Sequence, residues 1–219
     1  MENQLENPDF SKRTPERQFT WTREQSSPEV NRLFERYAEG DPNVELVFMN
    51  DGKSIQVGPD GEEKTIITIG LGGCYGTLVF TEHEDGRRNG VLTHYDPTQI
   101  SVNMSRLREL LGQDVVMKEA KTKQTVIVMG TGEWVQDPET KKWKLEPSPE
   151  SKKQVDGIIL AIQAELGKDV EVKFEPYSRL QKIAQKDQGT MVVTIPPKGK
   201  GDARFKTWFS AGKLGSEEK

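Results

Sequence analysis

The chain has 219 residues, 33% of them apolar and 30% charged. Lys and Arg total 31 against 35 Asp and Glu, a formal charge of −4, which argues against a nucleic-acid or anionic-membrane binder. A single cysteine and two histidines exclude a disulfide scaffold and a Cys-cluster zinc site, and no metal or organic cofactor is expected. No apolar run approaches the ~20 residues of a membrane span, and the first residues lack a signal-peptide layout. The expected setting is reducing and cytoplasmic.

Residues 1–26 are polar and aperiodic and read as a flexible arm, relieved by Phe10, Phe19 and Trp21. A single catalytic domain is expected over 27–211, and a disordered tail over 212–219. Ser27-Pro28 opens a helix with Val30, Leu33, Phe34 and Tyr37 on one face and Gly40 at its end. Val44–Met49 and Ser54–Val57 read as a hairpin around Asn50-Asp51-Gly52, followed by a strand at Thr65–Ile69. Cys74–Thr81 and Gly90–His94 are strands joined by the Glu84-Asp85-Gly86 turn, with His83 exposed at that turn. Asp96 caps a helix in which Pro97 takes the first position and Ile100, Met104, Leu107 and Leu111 share a face.

A strand at Gln124–Met129 follows, then a surface hairpin in which Trp134 and Trp143 flank Asp137-Pro138-Glu139-Thr140. Ser148-Pro149 starts a helix that buries Val155, Ile158, Ile159 and Ile162 and ends at Gly167. Strands at Val170–Phe174, Met191–Ile195 and Ala203–Phe209 complete an α/β (α+β) fold, a mixed β-sandwich flanked by about three helices.

The segment from Gly70 to Gly76 lacks the third glycine of a dinucleotide loop and the Lys-Ser/Thr of a phosphate loop. It offers instead a thiol behind Gly72 and Gly73, where backbone can approach a substrate and aim N–H groups at a developing oxyanion. A hairpin closed at residues 83–86 has pairing indices that sum to 169 or 171. Either value sets Cys74 near His94 at one end of the hairpin, with His83 at the other. Register decides whether the two side chains share a face. A free thiol titrates near 8.5, so an adjacent imidazole would make Cys74 a nucleophile. Tyr75 and Tyr95 are candidate cleft walls, and Asp96 reads better as a helix cap than as a third catalytic member.

Thr68 and Leu71-Gly72-Gly73-Cys74, with a histidine at the end of the next strand, resemble the Cys–His deamidase superfamily of chemoreceptor glutamine deamidases and cytotoxic necrotizing factor toxins. Cys74–Phe80 and Gly90–Asp96 are locally most similar to protein N-terminal asparagine amidohydrolases. The likeness covers roughly residues 65–111. It implies Cys74 and His94 as a catalytic pair, with Thr68 where the chemoreceptor deamidases carry a functional threonine. It also implies a peptide or protein substrate bearing Asn or Gln, N-terminal Asn first. The alternatives are a glutamine-deamidating or transglutaminating secreted effector, and a non-catalytic protein-binding module with a structural Cys74 and the tryptophan hairpin as its contact surface. Oligomeric state is open.

Overall fold

The computed structural model describes residues 26–71, 73–113, 121–168, 170–177, 189–207 and 211–214. Helix α1 (Pro28–Ala38) begins where Ser27 accepts a hydrogen bond from the Val30 amide, with Pro28 in the first turn. Strands β1 (Val44–Val47), β2 (Asp51–Val57), β3 (Lys64–Thr68), β4 (Tyr75–His83) and β5 (Arg88–Tyr95) follow. A 3-10 turn (Pro97–Gln99), capped by Asp96, leads into α2 (Ile100–Gln113). Then come β6 (Lys121–Gln136), β7 (Trp143–Pro147), α3 (Pro149–Leu166), β8 (Val172–Tyr177), β9 (Met191–Ile195), β10 (Arg204–Thr207) and β11 (Ala211–Lys213).

Two sheets stack face to face. The first runs β1-β3-β9-β10-β11 and the second β2-β5-β4-β6-β7, with β8 parallel to β6. Val47, Ile66, Met191, Val193 and Phe205 of the first sheet meet Ile55, Leu78, Phe80, Leu92 and Met129 of the second in the central core. On the outer side of the first sheet, α1 buries Val30 and Leu33 against Leu46, Ile67 and Val192. On the outer side of the second, α2 and α3 bring Leu107, Leu111, Ile158 and Ile162 onto Val79, Val91, Val126 and Val128. The result is an α+β sandwich of four layers, as its alternating strands and capped helices predict. Among the described residues no helix is long and apolar enough to cross a membrane.

Several expectations are corrected. β1 and β2 form no hairpin: β1 pairs in parallel with β3, β2 pairs with β5, and the chain crosses from one sheet to the other at Asn50. Gly52 lies inside β2, where a Cβ would stand 2.6 Å from Leu110 and 2.8 Å from Thr93; glycine there admits α2 rather than making a turn. The strand at 124–129 and the first arm of the tryptophan hairpin are one 16-residue strand, β6. The tail expected from residue 212 instead continues as β11, and Leu214 is buried with its amide on the Ala203 carbonyl. Residues 1–25, including Phe10, Phe19 and Trp21, lie outside the described residues, as do 215–219; Ser26, placed in the arm, is buried.

At the end of the β4–β5 hairpin, Arg88 donates to Glu82 at 2.8 Å and to the carbonyls of Pro196 (3.0 Å) and Gly201 (2.8 Å). This buried ion pair fastens the second sheet to the β9–β10 connection of the first. His83, expected in solvent, is buried there beside Thr81 and Asn89, with Nε2 3.2 Å from the Asn89 amide nitrogen. The strands extend further toward the turn than their apolar runs suggest, because this clamp covers them.

Candidate active site

The β4–β5 ladder pairs Gly76 with His94 and Tyr75 with Tyr95, an index sum of 170. His94 and Leu92 therefore face the other sheet together with Gly76 and Leu78, and Cys74 belongs to that same central core. Cys74 sits just before β4, two residues ahead of Gly76, the partner of His94.

His94 is 2% exposed. Its Nδ1 lies 2.9 Å from the Thr68 hydroxyl, which comes from β3 of the opposite sheet. That hydroxyl donates its one hydrogen to the Val47 carbonyl at 2.9 Å, so toward His94 it accepts. Nδ1 then carries the ring proton and Nε2 a lone pair. Nε2 is buried with no hydrogen-bond partner. Burial lowers the imidazole from its ordinary 6.5 to about 4, against a smaller opposing pull from Asp96. The ring is neutral at physiological pH, and the burial that keeps it neutral leaves Nε2 as an unpaired acceptor.

This shift ties stability to pH. Between pH 6.5 and 4 the unfolded chain binds a proton at His94 that the folded chain does not. Stability therefore falls as pH drops through that window, by up to about 3 kcal/mol. Urea titrations of wild type and His94→Gln at pH 7, 6, 5 and 4 should show this part of the acid loss only in wild type.

Cys74 is 9% exposed, and its Sγ lies 3.9 Å from the Met49 sulfur. Met49, on the β1–β2 crossover, is 48% exposed and shields the thiol. The turn before Cys74 depends on Gly73, whose φ of +147° disfavours any residue with a Cβ. Tyr177, buried at the end of β8, accepts from the Gly73 amide at 3.0 Å and is hydrogen-bonded to the carbonyls of Leu71 and Cys74. The Cys74 amide reaches the Leu71 carbonyl at 3.1 Å. The Gly73 and Cys74 amides, the donors nearest the thiol, are thus both engaged. Gly72 lies outside the described residues.

Of the residues singled out in the sequence, Thr68 and His94 meet, and Cys74 belongs to the same inter-sheet core. Tyr95 does not join them: it is fully buried on the opposite face of β5, under the helices, and Tyr75 occupies that face of β4. Odd and even positions of a strand point to opposite sides, so Tyr95, next to His94, lies on the other side of the sheet and is no wall of the Cys74 site. Asp96 caps the turn before α2, accepting from the Thr98 amide at 2.8 Å. Among the described residues no group of three or more His, Cys, Asp or Glu could hold a metal ion.

Sequence reading missed Asn50, Met49 and Tyr177. Asn50 sits at φ +64°. Its amide donates to the His94 carbonyl at 2.7 Å, and its side-chain oxygen accepts from the Asp96 amide at 3.0 Å and from Asn103 at 2.9 Å. Asn-Asp-Gly is also the strongest short hairpin signal, which is why its true role is hidden. Asn50→Gly keeps the backbone angle and loses the acceptor; thermal unfolding should show it about 2 kcal/mol less stable. Asn50→Asp, which keeps the acceptor, should stay within about 1 kcal/mol of wild type.

Comparison with known proteins adds little. No family model and no curated protein matches the chain. Six solved chains match it, among them the C-terminal domain of CNFy from Yersinia pseudotuberculosis, at 10% identity and a TM-score of 0.32. The match covers 73% of this chain and 55% of that one, so the chain spans about half the length of its neighbour. A likeness this weak carries no functional weight, and the reading of the site rests on Cys74, His94 and Thr68.

Proposed function

We infer that the chain is a cysteine amidohydrolase that deamidates the side-chain carboxamide of Asn or Gln in a peptide or protein. The observation that carries this reading is the orientation of His94: Thr68 holds its Nδ1 proton, leaving a buried, unpartnered Nε2 on the face and at the end where Cys74 lies.

The Cys74 thiol passes its proton to Nε2 as sulfur bonds to the carboxamide carbon. The resulting imidazolium returns the proton to nitrogen, the C–N bond breaks and ammonia leaves. Water, deprotonated by the same Nε2, attacks the thioester; the acid departs and the thiol is restored. Thr68 positions the imidazole. A substrate oxygen takes the place of the Leu71 carbonyl at the Cys74 amide to gain an oxyanion donor. The likeness of Gly90–Asp96 to asparagine amidohydrolases favours N-terminal Asn, with internal Gln next and amine capture of the thioester as a side outcome.

The burial of Cys74 and the exposure of Trp134 and Trp143 favour a second reading, a binding module with a structural cysteine. One experiment separates the two. Ammonia release is measured from peptides bearing N-terminal Asn, N-terminal Gln, internal Asn or internal Gln, alongside iodoacetamide labelling of folded Cys74. Release with wild type and none with Cys74→Ala supports the amidohydrolase and names its substrate class. No release, with Cys74 inert until unfolding, overturns it in favour of the binding module.

A further inference from the structure

Met49 sits on a segment whose backbone is held on both sides. Before it, the Val47 carbonyl accepts from the Thr68 hydroxyl at 2.9 Å, and Phe48 packs against the cluster under α1. The Asp51 amide donates to the Phe48 carbonyl at 3.1 Å, closing a turn over Met49 and Asn50. Asn50 is tied in turn to the His94 carbonyl, the Asp96 amide and Asn103. Lifting this crossover would break all of these bonds together. The Met49 side chain takes part in none of them.

That side chain is 48% exposed, yet its sulfur lies 3.9 Å from the Cys74 sulfur, in van der Waals contact. It is unbranched, with three rotatable bonds, and exposed side chains change rotamer on the picosecond-to-nanosecond scale. Its rotation is the smallest movement that bares the buried thiol, and it leaves the backbone in place. Cys74 belongs to the central core that His94 faces, and His94 Nε2 is buried without a partner.

The length of the cover is informative. Methionine and glutamine are alike from Cα to the δ position, where one carries sulfur and the other the carboxamide carbon. A glutamine side chain on the path of Met49 would set that carbon 3.9 Å from the Cys74 sulfur. Reacting atoms align at ~3–3.5 Å, only slightly closer. An asparagine on the same path stops one bond, about 1.5 Å, short.

We propose that Met49 holds the place of the substrate: the reacting carboxamide reaches Cys74 through the space of the Met49 thioether, once that side chain turns out into solvent. This rests on the amidohydrolase reading above. Given a carboxamide of its own, position 49 becomes an internal substrate. In Met49→Gln the Cys74 sulfur bonds to the introduced carboxamide carbon, the C–N bond breaks, and ammonia leaves with the thiol proton. Water then cleaves the thioester, restoring the thiol and leaving a carboxylate at position 49.

Two measurements test this. In the first, iodoacetamide labelling of Cys74 is followed in wild type and Met49→Ala across low, non-denaturing urea. Met49→Ala should label about 10-fold faster or more, and both rates should be independent of urea, because a side-chain rotation exposes no new backbone. Equal rates, or rates that climb with urea as unfolding does, overturn the proposal. In the second, Met49→Gln, Met49→Asn and Met49→Gln/Cys74→Ala are incubated and digested, and position 49 is read by mass spectrometry. Conversion to the carboxylate should occur in Met49→Gln alone. An intact carboxamide there, beside wild-type turnover of the peptide panel, overturns the role of Met49 and leaves the chemistry standing. An intact carboxamide with no peptide turned over overturns both. Conversion that persists without Cys74, or that is as fast in Met49→Asn, likewise overturns the proposal.

Discussion

His94→Gln should lower carboxamide hydrolysis about 10³–10⁴-fold, chiefly in kcat, because glutamine fills the space without accepting the thiol proton. The pH profile gives a second readout. With the imidazole lowered to about 4 by burial, the acid limb of kcat/KM should fall near pH 4, well below the 6.5 of an ordinary histidine. A limb near 6.5 would show that the buried, neutral ring is not the base. Thr68→Val tests the positioning step. It removes the acceptor that fixes the Nδ1 proton, so the rate should drop about 10–100-fold, and nitrogen NMR of His94 should change from one tautomer to a mixture. Thr68→Ser, which keeps the hydroxyl, should restore both. A Thr68→Val enzyme of full activity would reduce Thr68 to packing.

The second large effect lies at the far end of the hairpin and concerns stability. Arg88→Ala takes from Glu82 its buried partner, leaving it the half-exposed Lys198 at 3.5 Å, and removes the donor that the Pro196 and Gly201 carbonyls share. Losing one partner of a buried ion pair costs about 3–5 kcal/mol, a large share of the 5–15 kcal/mol typical of a domain. Chemical denaturation should show a loss of that size. Arg88→Met with Glu82→Leu should lose less, because no charge is left unpaired, although the loop carbonyls still want a donor. If Arg88→Ala unfolds with wild-type stability, Arg88 is not the clamp between the sheets.

The legible part of this protein was what one segment dictates for itself. Alternation placed the strands, Ser-Pro pairs placed the starts of α1 and α3, and Asp96 capped the turn into α2. Cys74 and His94 were legible as neighbours because a hairpin leaves few registers, although neither sum considered was the 170 observed. What stayed hidden depends on distant segments. Asn50-Asp51-Gly52 is a turn by local chemistry and a crossover in fact, because the apolar faces of β1 and β2 belong to different sheets. His83 looked exposed until Arg88 brought the β9–β10 connection over that end. Tyr177 reaches the Cys74 loop from over a hundred positions away, and a lone tyrosine at the end of a strand gives no local sign of that.

The order of strands in the first sheet also sets when the Thr68–His94 contact can form. β3, which carries Thr68, has β9 as its second neighbour, and β10 and β11, the last described strands, extend the sheet beyond β9. A nascent chain can zip β4 onto β5 at once, since their contacts are local. The sheet that presses Thr68 against His94 must wait for Met191 and beyond to leave the ribosome. Until then Thr68 lacks the β9 pairing that completes its place in the sheet, although Tyr177 of β8 is already available to the loop before Cys74. A half-made chain thus has β4 and β5 joined before Thr68 is held against His94. Ribosome-bound chains stopped before β9 should alkylate at Cys74 with the pH dependence of a free thiol.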